Sequence, residues 1–161
     1  MQDRVYLSLG SNVGDREDHL RGAITRLESI ARVISVSSFY ETEPMEVTNQ
    51  PWFLNCAVKA ETTKVPKQFM AAVLEMEREM GRLRTMKKGP RTIDIDILLF
   101  GDAVVDSPEV TIPHPAMHER RFVLEPLVEI APEARHPVFK KTVSEMLDAL
   151  PGGQTVRKVV T

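Results

Sequence analysis

The chain has little of what would tie it to an oxidising compartment, a membrane or a polyanion. Cys56 is its only cysteine and lies in an apolar, strand-like run. A disulfide framework and a cysteine-based zinc site are therefore excluded, and a buried, inert thiol is expected. No stretch approaches the roughly 20 apolar residues that span a bilayer. The opening MQDRVYLSLGSN lacks the apolar centre of a secretion signal, so a cytoplasmic location without a membrane partner is expected. Neither sign of charge dominates: the formal net charge is −2, which argues against nucleic acid as the main partner. There is no Gly-x-x-x-x-Gly-Lys-Ser/Thr loop, which removes the P-loop nucleotide binders. Gly10-Ser11-Asn12-Val13-Gly14 has too few glycines in the wrong places for a dinucleotide fingerprint, and Gly10 reads as a turn residue. Internal repeats, low-complexity tracts and a dividing linker are likewise missing.

What remains is an ordinary globular composition, 42% hydrophobic and 27% charged over 161 residues. That length sets one domain, 1–161, with its own core. Alternation over Arg4–Leu9 predicts a first strand. Leu20, Ala23, Ile24, Leu27 and Ile30 mark one face of a helix over 15–30, with Asp15, Glu17 and Asp18 in its first turn. Val33–Tyr40 reads as a second strand, 41–51 as a long loop and Phe53–Glu61 as a third strand. Pro66–Met80 is a helix stopped by Gly81, and Thr92–Phe100 is a fourth strand. The order β-α-β-β-α-β predicts an α+β, ferredoxin-like antiparallel sheet with both helices on one face, the other being free unless later elements cover it. After Phe100 the pattern gives a short hairpin, a break at Pro113-His114-Pro115 and a short helix over Phe122–Ile130. A capping box, Thr142-x-x-Glu145, then opens a last helix, and Val156–Val160 gives an edge strand.

The most informative stretch is Gly89–Leu98, GPRTIDIDIL. Period-2 geometry puts Asp94 and Asp96 on one sheet face while Ile93, Ile95 and Ile97 turn to the core. Two like charges on a half-buried strand oppose folding unless something neutralises them. Mg²⁺ suits the pair, because it takes one or two protein carboxylates and completes its shell with water and phosphate oxygens. Acids facing solvent or pairing with arginine are the alternative. The preceding segment carries Arg82, Arg84, Lys87, Lys88 and Arg91 with no acid among them. Cations feeding a carboxylate pair suit a polyphosphate that arrives with its metal. His114 and His118 have a metal-ligand spacing, but flanking prolines argue against a regular helix there. Phe53, Asn55 and Phe122 supply two aromatic faces and a carboxamide, which is what a flat, hydrogen-bonding heterocycle needs; two phenylalanines packed in the core are the alternative.

Taken together, LGSN (9–12), SSFYET (37–42), QPWFLN (50–55), GRLR (81–84), GPRTIDIDILLFG (89–101), IPHP (112–115) and RFVLEPL (121–127) occur in this order across the chain. The whole resembles the 6-hydroxymethyl-7,8-dihydropterin pyrophosphokinase family. The resemblance implies transfer of pyrophosphate from ATP to the pterin hydroxymethyl group, with AMP released, by a protein expected to be a monomer. It implies that Asp94 and Asp96 hold two Mg²⁺ ions, and that Arg82 and Arg91 act on the transferring group. The pterin would stack between Phe53 and Phe122 and be read by Asn55 and by the backbone around Thr42, Glu43, Pro44 and Met45. Glu77, Arg84, Arg91, Thr111, His114 and Arg120 match nucleotide-side positions, with Ile97 lining the adenine pocket. The chain departs from the family pattern in three places: Lys88 where a tryptophan is often found, Glu43 where a proline is common, and Pro115 where an aromatic occurs. An RNA-binding sheet and a catalytically silent paralogue are the rival readings. The carboxylates of strand four would repel RNA, and intact Asp94, Asp96, Arg82 and Arg91 speak against the second.

Overall fold

The structure, a computed structural model, describes residues 3–43, 51–81 and 92–159. Asp3–Ser11 (β1) leads into Arg16–Leu27 (α1), whose N-terminus is capped by Asp15 accepting the Asp18 N–H at 3.0 Å. Leu20, Ala23 and Leu27 face the core. Phe53–Thr62 (β4) pairs antiparallel with β1 along its whole length, Gly10 opposite Asn55 and Leu9 opposite Cys56. Pro66–Glu79 (α2) starts with proline at its first position, where no N–H is needed, and Gln68 Oε1 accepts the Val65 N–H at 3.2 Å. The helix ends at Gly81, whose φ of +84° is the left-handed stop that glycine adopts without strain.

The fourth strand of the sequence pattern is Asp94–Phe100 (β5), antiparallel to β1 on that strand's other side. Between Tyr6 and Leu7 the register slips by one residue, leaving Leu98 as a bulge. The bulge resets the phase of β5: Ile93, Ile95, Ile97 and Phe100 all join the core on the α1/α2 side, while Leu98 and Leu99 join the opposite one.

The predicted second strand is not continuous. It divides into Arg32–Val36 (β2) and Tyr40–Thr42 (β3), both paired with β4. Side chains take over the ladder at the break. Ser37 Oγ accepts the Ala57 N–H at 2.8 Å and donates to Ser38 O at 2.8 Å, and Glu129 Oε2 accepts the Ser38 N–H at 2.8 Å. The principal sheet thus has the order β5-β1-β4-β3 with β2 also on β4, and Val156–Lys158 (β8) as an edge strand on β3. Val105–Asp106 (β6) and Thr111–Ile112 (β7) form the short hairpin.

The second sheet face is covered. Arg121–Ile130 (α3) and Val143–Asp148 (α4) pack Val123, Leu124, Leu127, Val143 and Met146 against Ala57, Leu98 and Leu99. Each leucine buried in this way contributes about 1.5–3 kcal/mol. This α+β arrangement therefore has helices on both sides of an antiparallel sheet, and the broad surface an RNA reader would need lies under α3 and α4. The capping box forms as predicted, with Thr142 Oγ1 accepting from Glu145 N and Glu145 Oε1 accepting from Thr142 N. Cys56 is buried, and burial pushes its thiol up to about 12, as expected for an inert residue.

Candidate active site

At the end of the sheet beyond α3, one row of residues runs across four strands. Asp94 lies opposite Gly10, and Gly10 lies opposite Asn55, which in turn pairs with Tyr40 of β3. The next row carries Asp96 opposite Ser8, and Phe53 lies opposite Thr42. Strand alternation therefore brings both carboxylates, Ser8, Asn55 and Phe53 to one face, as the period-2 pattern requires. Asp94 and Asp96 are half-buried, Asp96 with 32% of its side chain exposed, so the carboxylates reach solvent although their strand does not.

Gly10 is not a turn residue. It sits inside β1, and a Cβ there would lie 2.6 Å from Asn55 Nδ2 and 3.5 Å from Phe53 Cδ1. Its missing side chain is the space that lets Asn55 and Phe53 lie across the sheet. Glycine inside an apolar strand pattern was the available signal for such a close approach. Asn55 is itself oriented: its Oδ1 accepts the Thr42 hydroxyl at 2.7 Å, and its Nδ2 makes a long contact to Leu9 O at 3.5 Å. Phe122, in the first turn of α3, is half-buried with the Arg120 guanidinium 5.6 Å from its ring centre.

His114 stands beside the acids, Nε2 3.9 Å from Asp96 Oδ1. Its Nδ1 accepts the Ala116 N–H at 3.1 Å, so the proton of the neutral ring resides on Nε2. Burial, followed by the charge of Arg120, lowers its pKa to about 4 against the opposing pull of Asp94. The contact with Asp96 is thus made by a neutral imidazole and is not an ion pair. His118 turns elsewhere: Nε2 is 3.4 Å from Glu119 Oε1 and its ring meets Phe139 edge-on at 4.8 Å. The two histidines do not converge on a metal.

The remaining predicted positions divide between two sides of the sheet. Thr111 is exposed on β7, and Arg120 is half-buried next to His114. The Ile97 side chain belongs to the core, so what this residue offers a ligand is its backbone on β5. Glu77 is also buried, on α2, where Oε2 accepts the Ile95 N–H at 2.8 Å. Glu43 is tied to the C-terminal segment, Oε1 accepting the Thr155 N–H at 2.8 Å and its carbonyl accepting from Gln154 Nε2 at 3.0 Å. Arg82, Arg84, Arg91, Pro44 and Met45 lie outside the described residues, as do Lys87 and Lys88.

A supporting cluster escaped the sequence reading. Arg16 donates to Trp52 O at 2.9 Å and to Glu41 Oε2 at 3.0 Å, while Arg157 reaches Glu41 Oε1 at 3.3 Å and lies 5.2 Å over the Trp52 ring. The Arg16 hydrogen bond, with the charges of both guanidinium groups, holds Glu41 below the usual carboxylate range. This clamp fixes the entry to β4 just before Phe53.

Among the described residues no cluster of three or more His, Cys, Asp or Glu side chains forms a complete metal cage. Two half-exposed carboxylates on one face fit a hard divalent ion that keeps water and phosphate oxygens in its shell, and do not fit a closed zinc site.

Comparison with known proteins decides the family. Residues 6–132 match the family model described as 7,8-dihydro-6-hydroxymethylpterin-pyrophosphokinase (HPPK). The chain belongs to the HPPK family. A 2-amino-4-hydroxy-6-hydroxymethyldihydropteridine pyrophosphokinase of Aquifex aeolicus is 41% identical over 141 residues, 88% of each chain. The Bacillus subtilis protein of the same name is 45% identical over 132 residues, 81% of this chain and 79% of its own. The folic acid synthesis protein fol1 of Schizosaccharomyces pombe is 46% identical over 149 residues, but this chain spans only 20% of its length. Among solved structures, wild-type Plasmodium falciparum HPPK-DHPS with pteroate superposes on 92% of this chain and 42% of its own, with a TM-score of 0.72. At 15% identity that likeness speaks for the HPPK fold alone.

Proposed function

We propose that this chain transfers the pyrophosphoryl group of ATP to the hydroxymethyl group of 6-hydroxymethyl-7,8-dihydropterin, releasing AMP, as a step of folate synthesis. The observation that carries the reading is the cross-strand row Asp94–Gly10–Asn55: it sets a carboxylate of the acidic pair across Gly10 from the Asn55 carboxamide, with the Phe53 ring on the same face. Asn55 presents an oriented carboxamide to the pterin edge, and Phe53 and Phe122 supply its stacking surfaces. The backbone of Thr42, Glu43, Pro44 and Met45 reads the rest of that edge.

Asp94 and Asp96 would hold two Mg²⁺ ions, which when bound supply charge neutralisation along the triphosphate. Arg82 and Arg91 bind the transferring group where negative charge gathers, and Arg84 adds a further cation. His114 contacts the nucleotide as a neutral donor, with Arg120 as its cationic neighbour and Thr111 at the margin. Ile97 presents its backbone on the outer edge of β5 to the adenine. Glu77 meets β5 from the α2 side of the sheet, behind these nucleotide positions.

The finer assignments follow the same lines. The β-α-β-β-α-β core is ferredoxin-like, supported by its strand order, and residues 1–161 form one domain that acts as a monomer. No helix among the described residues is long and apolar enough to cross a membrane. We read the chain as a cytoplasmic enzyme without membrane or nucleic-acid partners. The test is direct. Incubation with MgATP and the pterin should give AMP and pterin diphosphate in equal amounts by chromatography. Formation of ADP, or of AMP without pterin diphosphate, would overturn the assignment.

A further inference from the structure

We propose that Glu77 is a positioning residue for the acidic pair: it grips the backbone between Asp94 and Asp96 and so sets the direction of both carboxylates. The inference rests on the metal-binding reading of those aspartates, and it differs from a direct nucleotide contact by Glu77.

Among the described residues β5 is the last strand of its sheet, with β1 as its strand partner. At Asp94–Asp96 the residues opposite it on β1 are Gly10, Leu9 and Ser8. On its other edge the Ile95 N–H is taken by Glu77 Oε2, a carboxylate delivered from α2 at 2.8 Å. A side-chain carboxyl oxygen thus stands where a neighbouring strand would have supplied a carbonyl, at ordinary hydrogen-bond distance. The residue it holds is the one whose side chain anchors in the core, Ile95, 3% exposed.

Alternation along the strand does the rest. Phe69, Val73 and Met76 of α2 share the core with Ile95 and Ile97, whereas Asp94 and Asp96 project to the opposite face. Rotation of the backbone at Ile95 would swing both aspartates at once, because each is bonded directly to it. Glu77 therefore acts on the pair through the main chain, from a position 3% exposed on the helix side of the sheet. The energetic logic agrees. A carboxylate is costly to bury, and an apolar residue at this point on α2 would leave the buried Ile95 N–H without its acceptor. Supports behind metal ligands typically change metal affinity by about 10–100-fold when removed.

The experiment titrates Mn²⁺, followed by electron paramagnetic resonance, into the full chain with a non-hydrolysable ATP analogue, for wild type, Glu77→Ala and Glu77→Gln. The same analogue is titrated calorimetrically in EDTA, and circular dichroism reports folding. Glu77→Ala should weaken Mn²⁺ binding at least ten-fold while metal-free analogue affinity stays within about three-fold. Glu77→Gln keeps a carbonyl acceptor and should recover most of the metal affinity. Equal losses for metal and metal-free analogue in either variant would make Glu77 a nucleotide contact and overturn the proposal, as would unchanged Mn²⁺ binding in Glu77→Ala. Should Glu77→Ala not fold, Glu77→Gln decides: near wild-type Mn²⁺ affinity upholds the backbone role, and a ten-fold loss overturns it. If wild type itself shows no metal-dependent analogue binding, the assignment of Asp94 and Asp96 falls, a result distinct from any effect of Glu77.

Discussion

The Thr42 hydroxyl donates to Asn55 Oδ1 at 2.7 Å, and both residues are buried, 1% and 3% exposed. This one bond decides which end of the carboxamide faces which way. Thr42→Val keeps the volume and removes the donor, leaving Asn55 Oδ1 without that partner at a cost of about 1–3 kcal/mol. Pterin affinity should fall about ten-fold in calorimetry, equivalent to ~1.4 kcal/mol, while affinity for an ATP analogue is unchanged. Thr42→Ser should retain both. Equal losses for the two ligands would show that the bond serves folding alone.

Gly10 makes the same site sensitive to a single methyl group. Gly10→Ala puts a Cβ 2.6 Å from Asn55 Nδ2, so the amide must move. Overpacking of this kind costs about 1–3 kcal/mol. The loss should appear as a lower thermal midpoint, with pterin binding weakened more than ATP-analogue binding.

The acidic pair should behave oppositely in stability and in catalysis. Asp94→Asn and Asp96→Asn retain shape and remove charge from a strand that anchors in the core through Ile95 and Ile97. Turnover should drop on the order of 10²–10³-fold or more. The unfolding midpoint should move by no more than about 3 °C, under about 1 kcal/mol for a domain of this size. A large fall in midpoint with activity preserved would make the carboxylates structural.

An alkaline transition is expected from Tyr40. Burial, then its 2.6 Å hydrogen bond to Glu129 and the charge of that carboxylate, push its phenol well above the ordinary tyrosine range. The folded state thus holds this proton more tightly than the unfolded chain does. The stability it contributes is complete below about pH 10 and is lost as pH rises above that. Denaturant unfolding at pH 8, 10 and 11 should show the decline. Tyr40→Phe should flatten it and cost about 1–2 kcal/mol at pH 8.

Some of this was legible in the chain because it depends on neighbours in sequence. The alternation through Ile93–Ile97 fixed which side chains share a face, the Thr142-x-x-Glu145 box fixed a helix start, and Gly81 fixed a helix end. The second strand reads as continuous in the sequence because Ser37 and Ser38 look unremarkable locally. What breaks that strand is partly Glu129, 91 residues away from Ser38, which accepts the Ser38 N–H. His114 and His118 invited pairing by spacing alone, yet Ala116 N and Glu119 hold their rings apart in purpose.

By itself, the sequence determined the periodicities: where strands and helices lie, that Asp94 and Asp96 point together, and that one cysteine stays inert. Which family the chain belongs to was likewise carried by its ordered motifs. Only the tertiary structure decided that α3 and α4 close the second sheet face, that Gly10 is a floor for Asn55 and Phe53, and that Glu77 holds Ile95. The reason is physical. A period is set by bonds along the chain, whereas a contact between β1 and β4, or between α2 and β5, exists only after distant segments have been packed together.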